Sequence, residues 1–303
     1  MAEWDSELLT NKFLALIENL KIDLAAQMII STQFKAISRQ INTDFWGIDS
    51  ETQNSRYVGS YGRDTAIQGI NDIDIAVELP AEVFNKYDHY PVNGQEALLQ
   101  SLQNSLLKIC TNSMVGSDGR TIVLRNSGIE FEVFPVFLQK DRSYIYPHAS
   151  RKGQWRNIKL LAEIEAIDEY DQKYQGKIKH LTKLMRAWKI ENEVPISGLL
   201  LETLVMEFLD SWPYSDRSID YYGLMTQDFL GFLSQQDINQ KHWRAKGSDQ
   251  FVYRIGTFEH HAKFSSEDAL AAMTYEKEVP QANPQANSQA NLYWRKIFGK
   301  FFK

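Results

Sequence analysis

The stretch Asp72-Ile73-Asp74-Ile75-Ala76-Val77 limits what this chain can fold into more than any other. Side chains alternate across a β-strand, so Asp72 and Asp74 project from one face, about 6.6 Å apart along the strand. Ile73, Ile75 and Val77 fill the other face. An apolar face has to be buried, and its burial sets the register of the strand and leaves both carboxylates on the opposite surface. Two carboxylates so placed repel one another unless cations lie between them, and oxygen ligands opposite bound phosphates suit Mg2+.

Just upstream runs Val58-Gly59-Ser60-Tyr61-Gly62-Arg63-Asp64-Thr65-Ala66. A strand that ends in Gly59-Ser60 lets bare backbone approach a ligand, and a helix starting there aims N–H groups at an anion. The Ser60 hydroxyl and those amides are therefore candidates for holding triphosphate oxygens. A two-metal site needs a further carboxylate from a neighbouring strand. Glu132, in Gly128-Ile129-Glu130-Phe131-Glu132-Val133, is the candidate, and Glu130 on the same face is its understudy. Each piece alone has a plainer reading: Gly-Ser as a turn, Asp-Ile-Asp as a solvated edge. The conjunction of Gly-Ser, Arg63, an acid pair and a later acid in an apolar strand points to nucleotidyl transfer.

Elsewhere the hydrophobic period assigns the elements. Leu8, Leu9, Phe13, Leu16, Ile17 and Leu20 open a helical stretch over 5–44. Strands are expected at Tyr57–Val58, Ile73–Leu79, Thr121–Leu124 and Ile129–Phe137, with one helix at 94–112. Helical spacing returns at 157–173, 177–190, 197–211 and 222–236. The order predicts an α+β fold: a mixed sheet with flanking helices over 1–155, including the long N-terminal helices, then a helical lobe over 156–279. Residues 280–291, PQANPQANSQAN, read as a flexible linker. Residues 292–303 read as a basic amphipathic segment with Trp294, Ile297 and Phe298 on one face. Docking back onto the protein is preferred here over a membrane-surface anchor, and the linker would also let these residues reach a protein partner.

Composition excludes several classes. The 303 residues carry a net charge of -6, so a dedicated nucleic-acid track is not expected and any phosphate-binding surface must be local. Cys110 is the only cysteine, which excludes a disulfide framework and a cysteine-based zinc site. No run approaches the roughly 18 apolar residues of a membrane span, and the N-terminus lacks a leader pattern, so a cytoplasmic protein is expected. Lys140, Arg142, Arg151, Lys152, Arg156 and Lys159 face a single acid, Asp141, and either line a nucleotide cleft or form a solvated hinge. Trp155 and Trp188 read as packed side chains rather than base-stacking ones.

The pattern Gly59-Ser60-x-x-Arg63-x-Thr65-Ala66 followed by Asp72-Ile73-Asp74 resembles the signature of the DNA polymerase β-like nucleotidyltransferase superfamily. More narrowly it is similar to the bacterial cyclic-oligonucleotide synthases (CD-NTases), relatives of cyclic GMP-AMP synthase and oligoadenylate synthetase. Less specific matches are Leu181–Lys189, Ser197–Glu202 and Trp294–Gly299. The resemblance implies a polymerase β-like core and a C-terminal helical lobe, with the active site in the cleft between them. It implies that Gly59, Ser60 and Arg63 bind substrate, and that Asp72, Asp74 and Glu132 are the catalytic ligands of two Mg2+ ions, for which Mn2+ can substitute. Arg186 falls where the family usually has a lysine near the outer phosphates, and Ser197 where a hydroxyl contacts them. The third acid of the family is usually aspartate; Glu132 is one methylene longer.

The implied activity joins NTPs into a cyclic di- or trinucleotide with release of pyrophosphate, the product activating a separate effector protein in antiphage (CBASS-type) signalling. Two readings stand beside it: a transferase modifying RNA or protein, as a toxin does, and a catalytically silent NTP-binding scaffold. The net charge weighs against the RNA substrate, and the complete set of acids against the scaffold.

Overall fold

The computed structural model describes residues 7–70, 72–110, 115–117, 119–149, 153–217, 221–278 and 284–303, so Arg151 and Lys152 of the basic stretch lie outside the described residues. Two compact units are formed. One comprises Ile22–Asp64 and Gly69–Ile164; the other comprises Met1–Lys21, Thr65–Gln68 and Glu165–Lys303.

The first unit is built on a mixed sheet. Its strands are β1 (Ser55–Tyr57), β2 (Asp72–Glu78), β3 (Val115–Ser117), β4 (Ile122–Asn126), β5 (Ile129–Leu138), β6 (Tyr144–His148) and β7 (Gln154–Ile158). The order is β1-β2-β5-β4-β3, and β6 pairs with both β5 and β7. Only the β2–β5 pairing is parallel among these; the others are antiparallel. Helices α2 (Leu24–Ile41) and α5 (Gly94–Leu106) bring Ile30, Phe34, Ile37, Leu98 and Leu102 against Ile73, Ile75, Val77, Phe131 and Val133 to make the core of this unit. A four-residue helical turn, α3 (Gly59–Gly62), follows β1, and a short α4 (Ala81–Asp88), which the sequence reading did not separate, follows β2.

Trp155 is packed, as read from the sequence. Its ring lies 4.9 Å from Phe84 and 5.7 Å from Phe137, and its Nε1 donates to Asp88 Oδ1 at 2.9 Å.

The second unit is helical: α1 (Glu7–Asn19), α7 (Lys177–Glu191), α8 (Gly198–Ser211), α9 (Tyr222–Ser234), α10 (Glu259–Glu278) and α11 (Pro284–Phe298), with a small hairpin of β8 (His242–Arg244) and β9 (Phe251–Tyr253). The unit boundary falls within α6 (Leu160–Lys173). Trp188 is fully buried in this unit's core, and its Nε1 donates to Ser265 Oγ at 2.8 Å.

Three expectations are corrected. The helical stretch over 5–44 is broken at Leu20–Asp23, where Asp23 caps α2 by accepting the Ala26 amide at 2.8 Å. The core does not take in all of 1–155: α1 belongs to the helical unit, because Leu9, Phe13, Leu16 and Leu20 are buried in that unit's core.

The third correction concerns the tail. Residues 284–291 are not a flexible linker but the first half of α11, while 280–283 lie outside the described residues. The repeat recurs every four residues, close to the 3.6-residue helical period, so Ala286, Ala290 and Trp294 fall on one face. That face is buried, with Ala290 and Trp294 at 0% exposure. Lys12 fastens it, donating from Nζ to Asn287 Oδ1 at 2.7 Å and to Glu276 Oε1 at 2.6 Å. Trp294, Ile297, Phe298, Phe301 and Phe302 complete the seat, with Phe13 edge-on to Trp294 at 5.1 Å, so the last dozen residues do not reach away from their unit. Trp294→Ala should cost about 3–5 kcal/mol in chemical denaturation; a change below about 0.5 kcal/mol, typical of surface positions, would show that α11 is not part of the core.

Candidate active site

The parallel pairing of β2 with β5 sets Asp72 beside Glu130 and Asp74 beside Glu132. Partners across neighbouring strands lie about 4.8 Å apart and share a face, so four carboxylates are gathered on one surface of two strands. Asp72 is exposed and Asp74, Glu130 and Glu132 are half-buried. The opposite face is fully enclosed, with Ile73, Ile75, Phe131 and Val133 all at 0% exposure, so no slip of register could exchange the faces without burying charge. Arg125 on β4 pairs with Glu130 at 2.6 Å, and the strand register sets Glu132 level with Asp74.

The turn after β1 comes to the same acid. The Val58 amide donates to the Asp74 carbonyl at 2.9 Å, carrying Gly59 directly against the Asp74 side chain. Gly59 has φ +59°, and a Cβ built on it would fall inside the Asp74 carboxylate. Only glycine satisfies both the backbone angle and the approach. Gly62 is similarly confined: its amide returns to the Val58 carbonyl at 2.9 Å, and a Cβ would press on the Tyr57 carbonyl. The turn is backed by aromatic rings, Phe34 on Tyr57 at 4.2 Å and Tyr57 on Tyr61 at 4.8 Å, and burial pushes both tyrosine hydroxyls up, keeping them neutral. Gly59 and Ser60 thus lie in a short turn beside Asp74.

Three other expected residues make contacts of their own. Arg63 is 8% exposed, and its Nη1 lies 3.7 Å from Glu163 Oε2 within the same unit, so its guanidinium is turned inward. Arg186 and Ser197 belong to the helical unit. Arg186 Nη2 donates to Glu202 Oε1 at 2.8 Å and to Thr65 Oγ1 at 3.3 Å, and Thr65 donates to the same Glu202 oxygen at 2.5 Å. Glu202 and Thr65 are both at 0% exposure, and Gly198 makes room, since a Cβ there would lie 2.8 Å from the guanidinium. Ser197 caps α8, accepting the Leu200 amide at 3.2 Å. The sequence reading assigned no role to Thr65, Glu202 or Glu163. Glu202 carried a signal, being a lone acid in the apolar run Leu199-Leu200-Leu201-Glu202-Thr203-Leu204-Val205.

The donor set of Asp72, Asp74 and Glu132 consists of carboxylate oxygens, which suits a hard divalent cation and not zinc or a soft metal. Among the described residues, no group of three or more His, Cys, Asp or Glu side chains converges as a ready metal shell. The fit therefore rests on the shared face, the strand register and the bare backbone at Gly59.

Residues 8–170 match the model of the Second Messenger Oligonucleotide or Dinucleotide Synthetase domain, more than half of the chain. The chain belongs to this family. It is a nucleotidyltransferase of the CD-NTase type, with the polymerase β-like fold. A Bacillus cereus (strain VD146) protein named "Probable cyclic nucleotide synthase" is 22% identical over 284 residues, covering 80% of each chain. The Escherichia coli MS115-1 CdnC structure, solved as a complex with HORMA-deltaN, has a TM-score of 0.68 at 14% identity, covering 97% of this chain and 98% of that one. Bradyrhizobium diazoefficiens CdnG in complex with GTP has a TM-score of 0.62 at 14% identity, covering 97% and 96%. The Vibrio cholerae di-nucleotide cyclase has a TM-score of 0.62 at 13% identity, covering 82% and 70%. Among the described residues, no helix of this synthetase-family chain is long and apolar enough to cross a membrane.

Because a methyl group at Gly59 must displace the Asp74 carboxylate, Gly59→Ala should keep the native circular dichroism spectrum yet lose roughly 100-fold in nucleotide turnover, the usual cost of ångström-scale misplacement. Turnover within twofold of the parent would show that the contact between Gly59 and Asp74 does not matter.

Proposed function

We propose that this nucleotidyltransferase joins NTPs into a cyclic di- or trinucleotide, releasing one pyrophosphate for each bond made. The observation that carries the reading is the parallel register that puts Asp74 level with Glu132 while the Gly59–Ser60 turn packs on Asp74. A carboxylate face beside a glycine-opened turn separates two tasks: the turn receives triphosphate oxygens and the acids face the reacting end.

Asp72, Asp74 and Glu132 would hold the divalent cations, two Mg2+ or Mn2+, which when bound supply charge neutralisation on the triphosphate and make a ribose hydroxyl a better nucleophile. Gly59 and Ser60 would fix the triphosphate through backbone N–H groups and the Ser60 hydroxyl. In the transfer, a ribose hydroxyl gives up its proton to solvent, its oxygen forms the bond to the α-phosphorus, and the bond to the oxygen bridging to the β-phosphate breaks as pyrophosphate leaves. A last transfer, within the linear product, closes the ring: the second transfer for a dinucleotide and the third for a trinucleotide. Glu132 reaches one methylene further than an aspartate would, so the acid on β5 can meet a cation from a strand position farther back.

The cyclic product would activate a separate effector in antiphage signalling, a reading supported by membership of a second-messenger synthetase family.

The test is incubation of the purified chain with all four NTPs and Mg2+ or Mn2+, phosphatase treatment and mass spectrometry. Phosphatase-resistant cyclic products are expected, and Asp72→Asn and Asp74→Asn should each reduce them at least about 100-fold, since Lewis-acid stabilisation is worth several kcal/mol. Label transferred instead to RNA or protein, with no cyclic product under either metal, would overturn the cyclic reading.

A further inference from the structure

Arg63 stands in the middle of the motif that holds the proposed triphosphate turn, yet its side chain is enclosed. Its backbone closes the turn: the Arg63 amide donates to the Gly59 carbonyl at 3.1 Å, one residue after Gly62 has returned to Val58. Its guanidinium lies 3.7 Å from Glu163, with side-chain exposures of 9% and 5%. Glu163 sits in the first turn of α6, where Leu160 packs with Val58, Ala76, Val136 and Tyr144. That helix follows directly from β7, which pairs with β6, which pairs with the end of β5. The same β5 carries Glu132 level with Asp74, and Asp74 is the side chain that Gly59 packs on.

A closed circuit results, from Asp74 through Gly59, Arg63, Glu163, α6, β7, β6 and β5 to Glu132 and back across the strand pair to Asp74. The links are backbone pairings, covalent connections and side-chain contacts; between the turn and α6 the Arg63–Glu163 ion pair adds a polar link to the packing of Leu160 with Val58. Charges this far from water are costly to separate, so the pair resists any movement of the turn that would open it.

We propose that Arg63 and Glu163 act as a positioning pair that holds the Gly59–Gly62 turn against Asp74, and that Arg63 does this in place of touching the triphosphate. The inference rests on the nucleotidyltransferase reading for its consequence in turnover, but its structural half concerns the chain alone.

Two readouts test it on the full chain. Hydrogen exchange without nucleotide should show the Gly62 and Arg63 amides losing protection roughly tenfold or more in both Arg63→Gln and Glu163→Gln, with the double variant no worse than either single one. In steady-state kinetics the same three variants should raise KM for NTP by one shared factor with a smaller change in kcat, as expected when a binding surface is loosened before the chemical step. Arg63→Lys and Glu163→Asp, which keep the charges, should recover part of both effects and serve if the neutral variants do not fold.

An Arg63→Gln rise in KM that Glu163→Gln does not share would mean that Arg63 contacts substrate and would overturn the proposal. A fall in melting temperature with unchanged local exchange and unchanged KM would reduce the pair to ordinary core structure and overturn it too. Absence of turnover in the parent chain would count against the function proposed above, and the exchange data would still decide the pair.

Discussion

The parallel pairing of β2 with β5 is the constraint on which the rest of the site depends. With a side-chain period of two, one register of that pair puts Ile73, Ile75, Phe131 and Val133 together under α2 and α5, and the same register necessarily puts Asp72, Asp74, Glu130 and Glu132 together on the other side. Burial of the apolar face supplies the free energy, and the acidic face is its geometric consequence. A parallel pair cannot be joined by a hairpin. The segment between β2 and β5 accordingly carries α4, α5, β3 and β4, and α5 in turn closes the core beneath the acids.

The Gly59-to-Ala66 motif divides its labour along the chain. Gly59 and Gly62 permit backbone approach, the first to a carboxylate and the second to a carbonyl. Arg63 turns inward to Glu163, and Thr65 turns to Glu202 and Arg186. A short run of sequence therefore contributes both a turn packed on a carboxylate and two buried polar anchors. In each anchor an arginine meets a glutamate, so neither glutamate is a charge left alone in the interior. Glu202 receives hydrogen bonds from both a guanidinium and a hydroxyl, which satisfies an acceptor that would otherwise be costly at full burial.

The C-terminal helix shows how composition and pattern can conflict. Glutamine, alanine and asparagine with intervening proline and serine look like linker material, because none buries much apolar surface. The period of the repeat overrides that reading: at four residues per unit the small alanines align with Trp294 and allow α11 to lie close to its neighbours, with Lys12 tying Asn287 and Glu276 together. Small side chains at a helix contact trade buried area for close approach, and Trp294, Ile297 and Phe298 restore the area further along.

The alternation of Asp72–Val77, the Gly59–Ser60 pair and the acid at Glu132 were legible in sequence because strand period, glycine permissiveness and carboxylate chemistry are local properties. So were the mixed sheet followed by helices, and the packed states of Trp155 and Trp188. What sequence could not state is which residues at long separation face one another: that Asp74 stands beside Glu132 and not Glu130, that Arg63 meets Glu163, that Thr65 meets Glu202, and that α1 joins the helices at the far end of the chain. Pairing of that kind is decided by the burial of whole faces at once. A residue's type determines what it can do, while the tertiary structure determines whether its side chain is spent on the interior, as with Arg63, or left at the surface, as with Asp72.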